Sequence, residues 1–551
     1  MPELNDQWLW VVDDQLVDAL LRNDALDPGV SKRGVDSSAL TEALALASEN
    51  RTEAALQRVR EATEKGEKSA DLWWAKGQLE FELGRWEPAK ASYGELLKLT
   101  PGHRAADYNI ALCCHRMQRY DDAVAHFTAA LEANPDRAEC ALGMGVCLLR
   151  LGRGEEALAA FESCLSGHPG HTQALFGKGV ALQMLHRLDE ADAIYREVLP
   201  SNPKSLDLLV NLIALSAARA DDDKLRDYCE RLLRLRDQAR PALEGLSTLA
   251  LSRGDYKTAV KHLSQLVKAA PTSWEPWHNL GFAYQKMNRV DEAIHAYSEA
   301  IRCKPDAPQP RANLGLLLQE RAELGAAREE YNHALEADPA LAAVLWNLAV
   351  LYEREGDAVA AEQRLSKLVS LKPEWEDASF RLGCLRLQTG NAAGAVEAFL
   401  ACVEKREKWP DAWLNLGIAQ WRSGDGQTAA SCFEKALEYN PKLAPALKAL
   451  GCVMVEAGDH ARAVGILNKL SELGEHAPEL SYNTGILLQK SGLHEDAVKM
   501  LRRAAGDKPG FGEALLNLGN SLNSLGKGAE AQECWREAVE AEPELASLFG
   551  H

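Results

Sequence analysis

The chain is short of basic residues: Lys and Arg number 62 against 81 Asp and Glu, for a formal net charge of −19. A nucleic-acid ligand needs a basic footprint, so that class is disfavoured, as is an anionic membrane surface. Nowhere do about 18 apolar residues run together, which excludes an ordinary membrane-spanning helix. The opening Met1, Pro2, Glu3, Leu4 has no basic stretch leading into an apolar one, so no secretory signal is expected. The 12 cysteines contain no CxxC pair, and reduced, buried thiols in a cytoplasmic protein are the simplest expectation. GxGxxG after a strand, GxxxxGK[ST], HExxH and GxSxG are all missing, so no enzyme activity, cofactor or metal is expected.

What the chain does have is a period. Proline stands at 101, 135, 169 and 203, then at 271, 305, 339, 373, 441, 509 and 543, every gap being 34 residues or a multiple of 34. A strict period of this size means one unit stacked on itself, which replaces the three or four domains that the length would otherwise suggest. With proline as position 32, fourteen repeats run from 70 to 545, the first over 70–103. Position 20 is alanine in thirteen, as at Ala89, Ala293 and Ala429, and position 8 is Gly, Ala or Ser in thirteen, as at Gly77, Gly281 and Gly417. Position 24 is mostly aromatic, as at Tyr93, Phe127, Tyr297 and Trp535. Positions 4, 7, 8 and 11 share one helical face, as do 20, 24 and 27. Glycine at position 15 fits a left-handed cap, and the proline stops the second helix. Each repeat is therefore predicted to be helix, short turn, helix, unable to bury its apolar face without neighbours.

The run Trp277, Asn279, Leu280, Gly281, Tyr284, Ala293, Tyr297, Ala300, Pro305 resembles the tetratricopeptide repeat nearly residue for residue, as does Trp413, Asn415, Leu416, Gly417, Ala429, Phe433, Ala436, Pro441. The resemblance covers roughly 70–543. It implies an all-α, right-handed superhelical solenoid of about 14 to 15 stacked hairpins, with a protein rather than a small molecule as partner. Pentatricopeptide repeats, which read RNA, run at 35 residues and are usually basic, so they fit less well. The expected organisation is a capping helix and linker over 1–35, a decayed hairpin over 36–69, the fourteen repeats over 70–545 and a short tail over 546–551. The apolar helix within 1–25 admits a second reading, as a docking helix for a partner.

In such stacks the first helices line the concave side, and positions 2, 5, 6, 9, 12 and 13 are expected there. Position 6 is asparagine in eight repeats: Asn109, Asn211, Asn279, Asn313, Asn347, Asn415, Asn483 and Asn517. Asparagine is a poor helix-interior residue, so the column calls for a reason. A carboxamide both donates and accepts, and a row of them can hold an extended peptide backbone. The array resembles the asparagine ladder in the superhelix of O-linked N-acetylglucosamine transferases, with none of their catalytic part. The alternative is that the amides bond only within the stack. Trp74, Tyr108, His278, Trp346 and Tyr482, all at position 5, form either side-chain pockets between the rungs or ordinary packing. Position 13 carries Arg116, Arg150, Lys286, Arg354, Arg422 and Lys490, so the groove need not be acidic.

The expected function is a non-catalytic scaffold or adaptor holding an extended peptide of a client protein. A second reading is self-association through an uncapped C-terminal edge at Trp535, Leu545, Leu548 and Phe549. A third is a cytoskeleton-linked adaptor of the kinesin-light-chain type, whose repeats are longer than these. Repeat five (206–239) breaks the pattern with Ile213, Leu225 and Asp237 at positions 8, 20 and 32. Either the stack is weakest within 213–245, or large and small residues compensate there. The nearest metal-like cluster, Cys164, His168 and His171, sets an interior cysteine against two turn histidines, and Cys113, Cys114 and His115 point in different directions along a helix.

Overall fold

The computed structural model describes residues 38–103 and 105–545. Among these, there are 30 helices and no strands, and 79% of the described residues are helical. Two compact units divide between Cys303 and Lys304. Each is a stack of helix hairpins, so the all-α repeat architecture holds throughout.

Repeat one shows how a hairpin forms. Its first helix, Ala70–Glu82, ends at Leu83, and its second, Trp86–Leu99, stops just before Pro101. Between them Gly84 takes φ +71°. Its N–H donates to the Phe81 carbonyl at 2.9 Å, and the Arg85 N–H donates to the Glu80 carbonyl at 2.8 Å. These bonds satisfy carbonyls that the helix end leaves orphaned. Position 15 is left-handed in the other repeats too, even without glycine: Gln118, His186, Ala220, Asn288 and Ala322 all have positive φ.

The two helices close because position 8 is small. A Cβ on Gly77 would fall 2.6 Å from the Tyr93 ring, one on Gly417 2.5 Å from Phe433, and one on Gly315 2.7 Å from Tyr331. The position-24 ring thus lies directly on the backbone of its partner helix, while Ala89, Ala327 and Ala429 at position 20 are fully buried beside it. The same ring also meets the next repeat: a Cβ on Gly143 or Gly177, at position 6, would fall 2.5 Å from Phe127 or Phe161. Within each unit, several first helices of successive repeats touch one another, as Thr172–Met184 touches Ala138–Arg150, whereas second helices make no comparable contact among the described residues. The first helices therefore occupy the tighter side of each stack.

The segment 36–69 contains the helices Ser38–Ser48 and Thr52–Glu64. It is tied to repeat one through the buried Glu80, which accepts from Arg60 Nη2 at 3.0 Å and from Ser92 Oγ at 2.7 Å. The expected helix over 1–25 and linker over 26–35 lie outside the described residues.

Repeat five packs by exchanging large and small residues. Ile213 and Leu225 are buried, and the bulk they add is offset by Cys229 where the other repeats carry a ring or a leucine. The next repeat completes the exchange with Gly245, whose Cβ would fall 2.8 Å from Cys229 Sγ and 3.3 Å from Leu225 Cδ1. Asp192, only 3% exposed, adds a polar clamp: Arg196 bonds to it, and Arg219 and Lys224 each approach it to 3.5 Å. Large and small residues thus compensate across 213–245, the second of the two readings of this repeat, and the division into compact units falls between Cys303 and Lys304.

Candidate functional site

The position-6 column lies on the first helices, and in several repeats it meets the position-24 ring of the repeat before, as Asn211 does at Tyr195 and Asn347 at Tyr331. This neighbour decides what each asparagine can do. The Tyr195 hydroxyl donates to Gln183 Oε1 at 2.9 Å and sits beside Asn211, and burial pushes its pKa well up. The Tyr331 hydroxyl donates to Gln319 Oε1 at 3.0 Å beside Asn347, and burial pushes that phenol up to about 12. Tyr297 makes the same bond to Gln285 at 2.9 Å. Position 12, expected on the concave face, is in these repeats turned onto the tyrosine, and Gln183 is wholly buried.

Two of the eight asparagines cannot be rungs. Asn109 and Asn211 are 4% and 1% exposed, and their Nδ2 atoms are buried without a hydrogen-bond partner. In both cases the next repeat has glycine at position 6, Gly143 and Gly245, so the following first helix comes in close and covers the amide. Asn279, Asn313, Asn347, Asn415 and Asn517 are half-buried, and Asn483 is exposed. Asn415 Nδ2 donates to the Asp411 carbonyl at 2.8 Å, and Asn517 Nδ2 to the Glu513 carbonyl at 2.9 Å. Each amide is thereby held against its own helix, with its Oδ1 left as an acceptor. The accessible column is best developed in the second unit.

The position-5 residues divide the same way. Trp74 and Tyr108 are buried in the core and are removed from the pocket set. Trp74 packs on Tyr93 with ring centroids 5.5 Å apart, and the Arg137 guanidinium lies 3.8 Å over the Tyr108 ring. His278 packs on Tyr297, and burial holds its imidazole pKa down at about 4. Trp346 and Tyr482 remain half-exposed. Trp346 stacks on Trp375 at 5.2 Å with Arg381 over its ring, and Arg381 is held by Glu353 through bonds of 2.8 and 2.9 Å. Tyr482 packs on Phe511 at 5.0 Å, and its hydroxyl accepts from Asn517 Nδ2 at 3.4 Å. Phe380 stacks on Trp409 at 4.7 Å in the same manner. Trp375, Trp409 and Phe511 all stand at position 34, a column the sequence reading overlooked. Its signal was there: three aromatic residues in one register, two places after the proline position.

The C-terminal edge also differs from expectation. Trp535 is half-buried, its Nε1 donating to the Leu516 carbonyl at 3.3 Å and to Asn520 Oδ1 at 3.2 Å, and Leu545 is likewise half-buried. The last helix, Gly528–Ala541, turns Gln532, Glu533, Arg536, Glu537 and Glu540 outward. The exposed side chains named on this helix are thus polar, and the two apolar edge residues among the described ones are half-buried. Leu548 and Phe549 lie outside the described residues. At the cysteine–histidine cluster, Cys164 is buried and His171 Nδ1 accepts from the Ala174 N–H at 3.3 Å, acting as a helix cap. Among the described residues no group of His, Cys, Asp and Glu could hold a metal ion, and no helix is long and apolar enough to cross a membrane.

Comparison with known families accounts for this arrangement. A tetratricopeptide-repeat model matches residues 40–89, 75–138, 116–167, 380–446, 414–478 and 482–546, more than half of the chain. The chain belongs to the tetratricopeptide-repeat family. Further models of the same repeat match 151–215, 250–315 and 342–367. Superkiller complex protein 3 is 37% identical over 67 residues in Mus musculus and 35% over 72 residues in Homo sapiens. These stretches are 12% and 13% of this chain, and the chain spans only 4% and 5% of the length of those relatives. Among solved structures, YrrB, described as a tetratricopeptide-repeat protein with an unusual peptide-binding site, is 19% identical with a TM-score of 0.32, covering 34% of this chain and 96% of its own. The Cut9–Hcn1 hetero-tetramer of APC/C is 15% identical with a TM-score of 0.30, covering 82% and 96%. Tetratricopeptide-repeat proteins are in general protein-interaction scaffolds.

Proposed function

We propose that this protein is a non-catalytic scaffold whose second unit holds an extended peptide segment of a client protein along its first helices. The observation that carries the reading is the column Asn313, Asn347, Asn415, Asn483 and Asn517, which keeps one register and stays accessible while its counterparts Asn109 and Asn211 are covered. Carboxamides in line, one in each of repeats eight, nine, eleven, thirteen and fourteen, offer donors and acceptors to a strand-like backbone, with Arg381 and Ala449 at the same position of repeats ten and twelve. The half-exposed Trp346 and Tyr482, braced from below by Trp375 and Phe511, supply apolar contact beside the rungs. Arg354, Arg422 and Lys490 at position 13 bring positive charge to the same helices, so an acidic stretch of client is tolerated despite the overall charge. A cytoplasmic location suits such a scaffold.

A single amide contributes roughly 0.5–1.5 kcal/mol. The five asparagines replaced together by alanine should therefore weaken client capture by about a hundredfold or more, with helical content unchanged. Photo-crosslinking from the first helices of the full chain in cells, scored against the unsubstituted protein, measures this. Equal capture by the substituted protein would remove the groove reading.

A further inference from the structure

Repeats five and six leave a second, unrelated concavity. Their second helices, Asp222–Leu235 and Tyr256–Ala269, are separated by a groove of two adjoining lobes, about 460 and 500 Å³, with Leu233 lining both. It opens where repeat five lacks its proline, so that Asp237 and Gln238 of the connecting turn enter the lining.

Its charge runs against that of the whole molecule. Four cations line it, Arg226, Arg234, Lys261 and Lys268, against two carboxylates, Glu230 and Asp237. Arg234 and Glu230 pair with each other at 3.6 Å. Among the described residues no carboxylate lies within ion-pair distance of Arg226, Lys261 or Lys268. Three unmatched cations around one recess, in a chain of net charge −19, are a local inversion of sign. A recess with low-dielectric walls concentrates such a field.

The neutral groups point the same way. His262 lines both lobes, and its Nδ1 is buried without a hydrogen-bond partner. Leaving a buried polar atom unsatisfied is costly, and a ligand that bonds to it recovers that cost. Burial, and then Lys261, hold the imidazole pKa below its ordinary value, so the ring is neutral near pH 7 and hydrogen-bonds as a neutral group. Gln238, Gln265 and Thr258 offer further donors on the rim. A phosphate monoester carries about −1.5 to −2 charges and three strong acceptor oxygens, which suits several cations interleaved with neutral donors better than a single carboxylate does.

We propose that the groove between the second helices of repeats five and six is an anion site for a phosphate monoester. It lies in the first unit, uses none of the asparagines assigned above, and stands or falls independently of the peptide reading. The test is histidine side-chain NMR on the full chain carrying ¹³C-labelled histidine, titrated with inorganic phosphate, with a short phosphoserine peptide and with the same peptide unphosphorylated. Saturable shifts of His262 with the phosphorylated probes, at least tenfold tighter than with the plain peptide, are expected. Tighter binding of the phosphopeptide assigns the site to a modified partner, and equal or tighter binding of inorganic phosphate to a free phosphate compound. The double substitution Lys261→Ala, Lys268→Ala, at exposed positions, should weaken binding at least tenfold with the circular dichroism unchanged. Absence of His262 shifts with both phosphorylated probes, a plain peptide that binds as tightly as the phosphorylated one, or unchanged affinity in the folded double variant would overturn the assignment.

Discussion

His278 illustrates how one position in the repeat acquires a particular chemistry. It occupies the place that is tryptophan in repeat nine and tyrosine in repeat thirteen, packed between Trp274 and Tyr297. Burial depresses its pKa to about 4, against an ordinary 6.5. Between those values the unfolded chain binds a proton that the native protein refuses, so stability is full above pH 6.5 and is lost as pH falls toward 4. Urea midpoints measured from pH 7 to 4 should drop less steeply in His278→Gln than in the unsubstituted protein. An equal slope in both would place the acid sensitivity elsewhere. The residue scale is also where the asparagine column divides. The spacing makes all eight look alike, but the residue 34 places further on, Gly143 or Gly245 in two cases, decides whether an amide meets solvent or is sealed in.

At the scale of the helix hairpin, the turn is the element most demanding of backbone conformation. Position 15 must be left-handed, and an L-residue with a Cβ is disfavoured there by roughly 1–2 kcal/mol. Ala322 occupies it at φ +62°. Ala322→Gly should therefore raise stability by about 1 kcal/mol, after the entropy that glycine adds to the unfolded chain is subtracted. Thermal unfolding followed by circular dichroism would register this as a higher midpoint, and no gain would mean that the turn is not strained. The same hairpin logic explains repeat five. Its large residues at positions 8 and 20 contradict the rule read along the chain, but the volume is returned by Cys229 and Gly245, one of them in another repeat. Close packing constrains summed volume across an interface, not the size of each member.

At the scale of the whole molecule, stacked repeats are stabilised by their own hairpins and by their immediate neighbours. A lesion should accordingly spread only a short way. Gly417→Leu would drive a side chain into the Phe433 ring, where even a Cβ falls at 2.5 Å, at a cost of about 1–3 kcal/mol or more. Hydrogen exchange should rise in the helices Ala392–Lys405 through Ala444–Glu456, with residues 38–303 unaffected. Uniform loss of protection over both compact units would show instead that they unfold as one. Two surfaces of different character then belong to one chain: accessible carboxamides on first helices of the second unit, and a cation-lined recess between second helices of the first.

The sequence alone determined the period, the paired helices, the left-handed turn and the small residues at positions 8 and 20. These depend on spacing along one hairpin, and spacing is visible in a linear string. Only the tertiary structure decided which asparagines remain accessible, that Gln183, Gln285 and Gln319 serve their tyrosines, that Trp375 and Phe511 brace the half-exposed rings, and that a groove opens beside His262. Each of these is settled by the distance between one repeat and the next, and that distance is set by the joint volume of side chains lying about 34 residues apart.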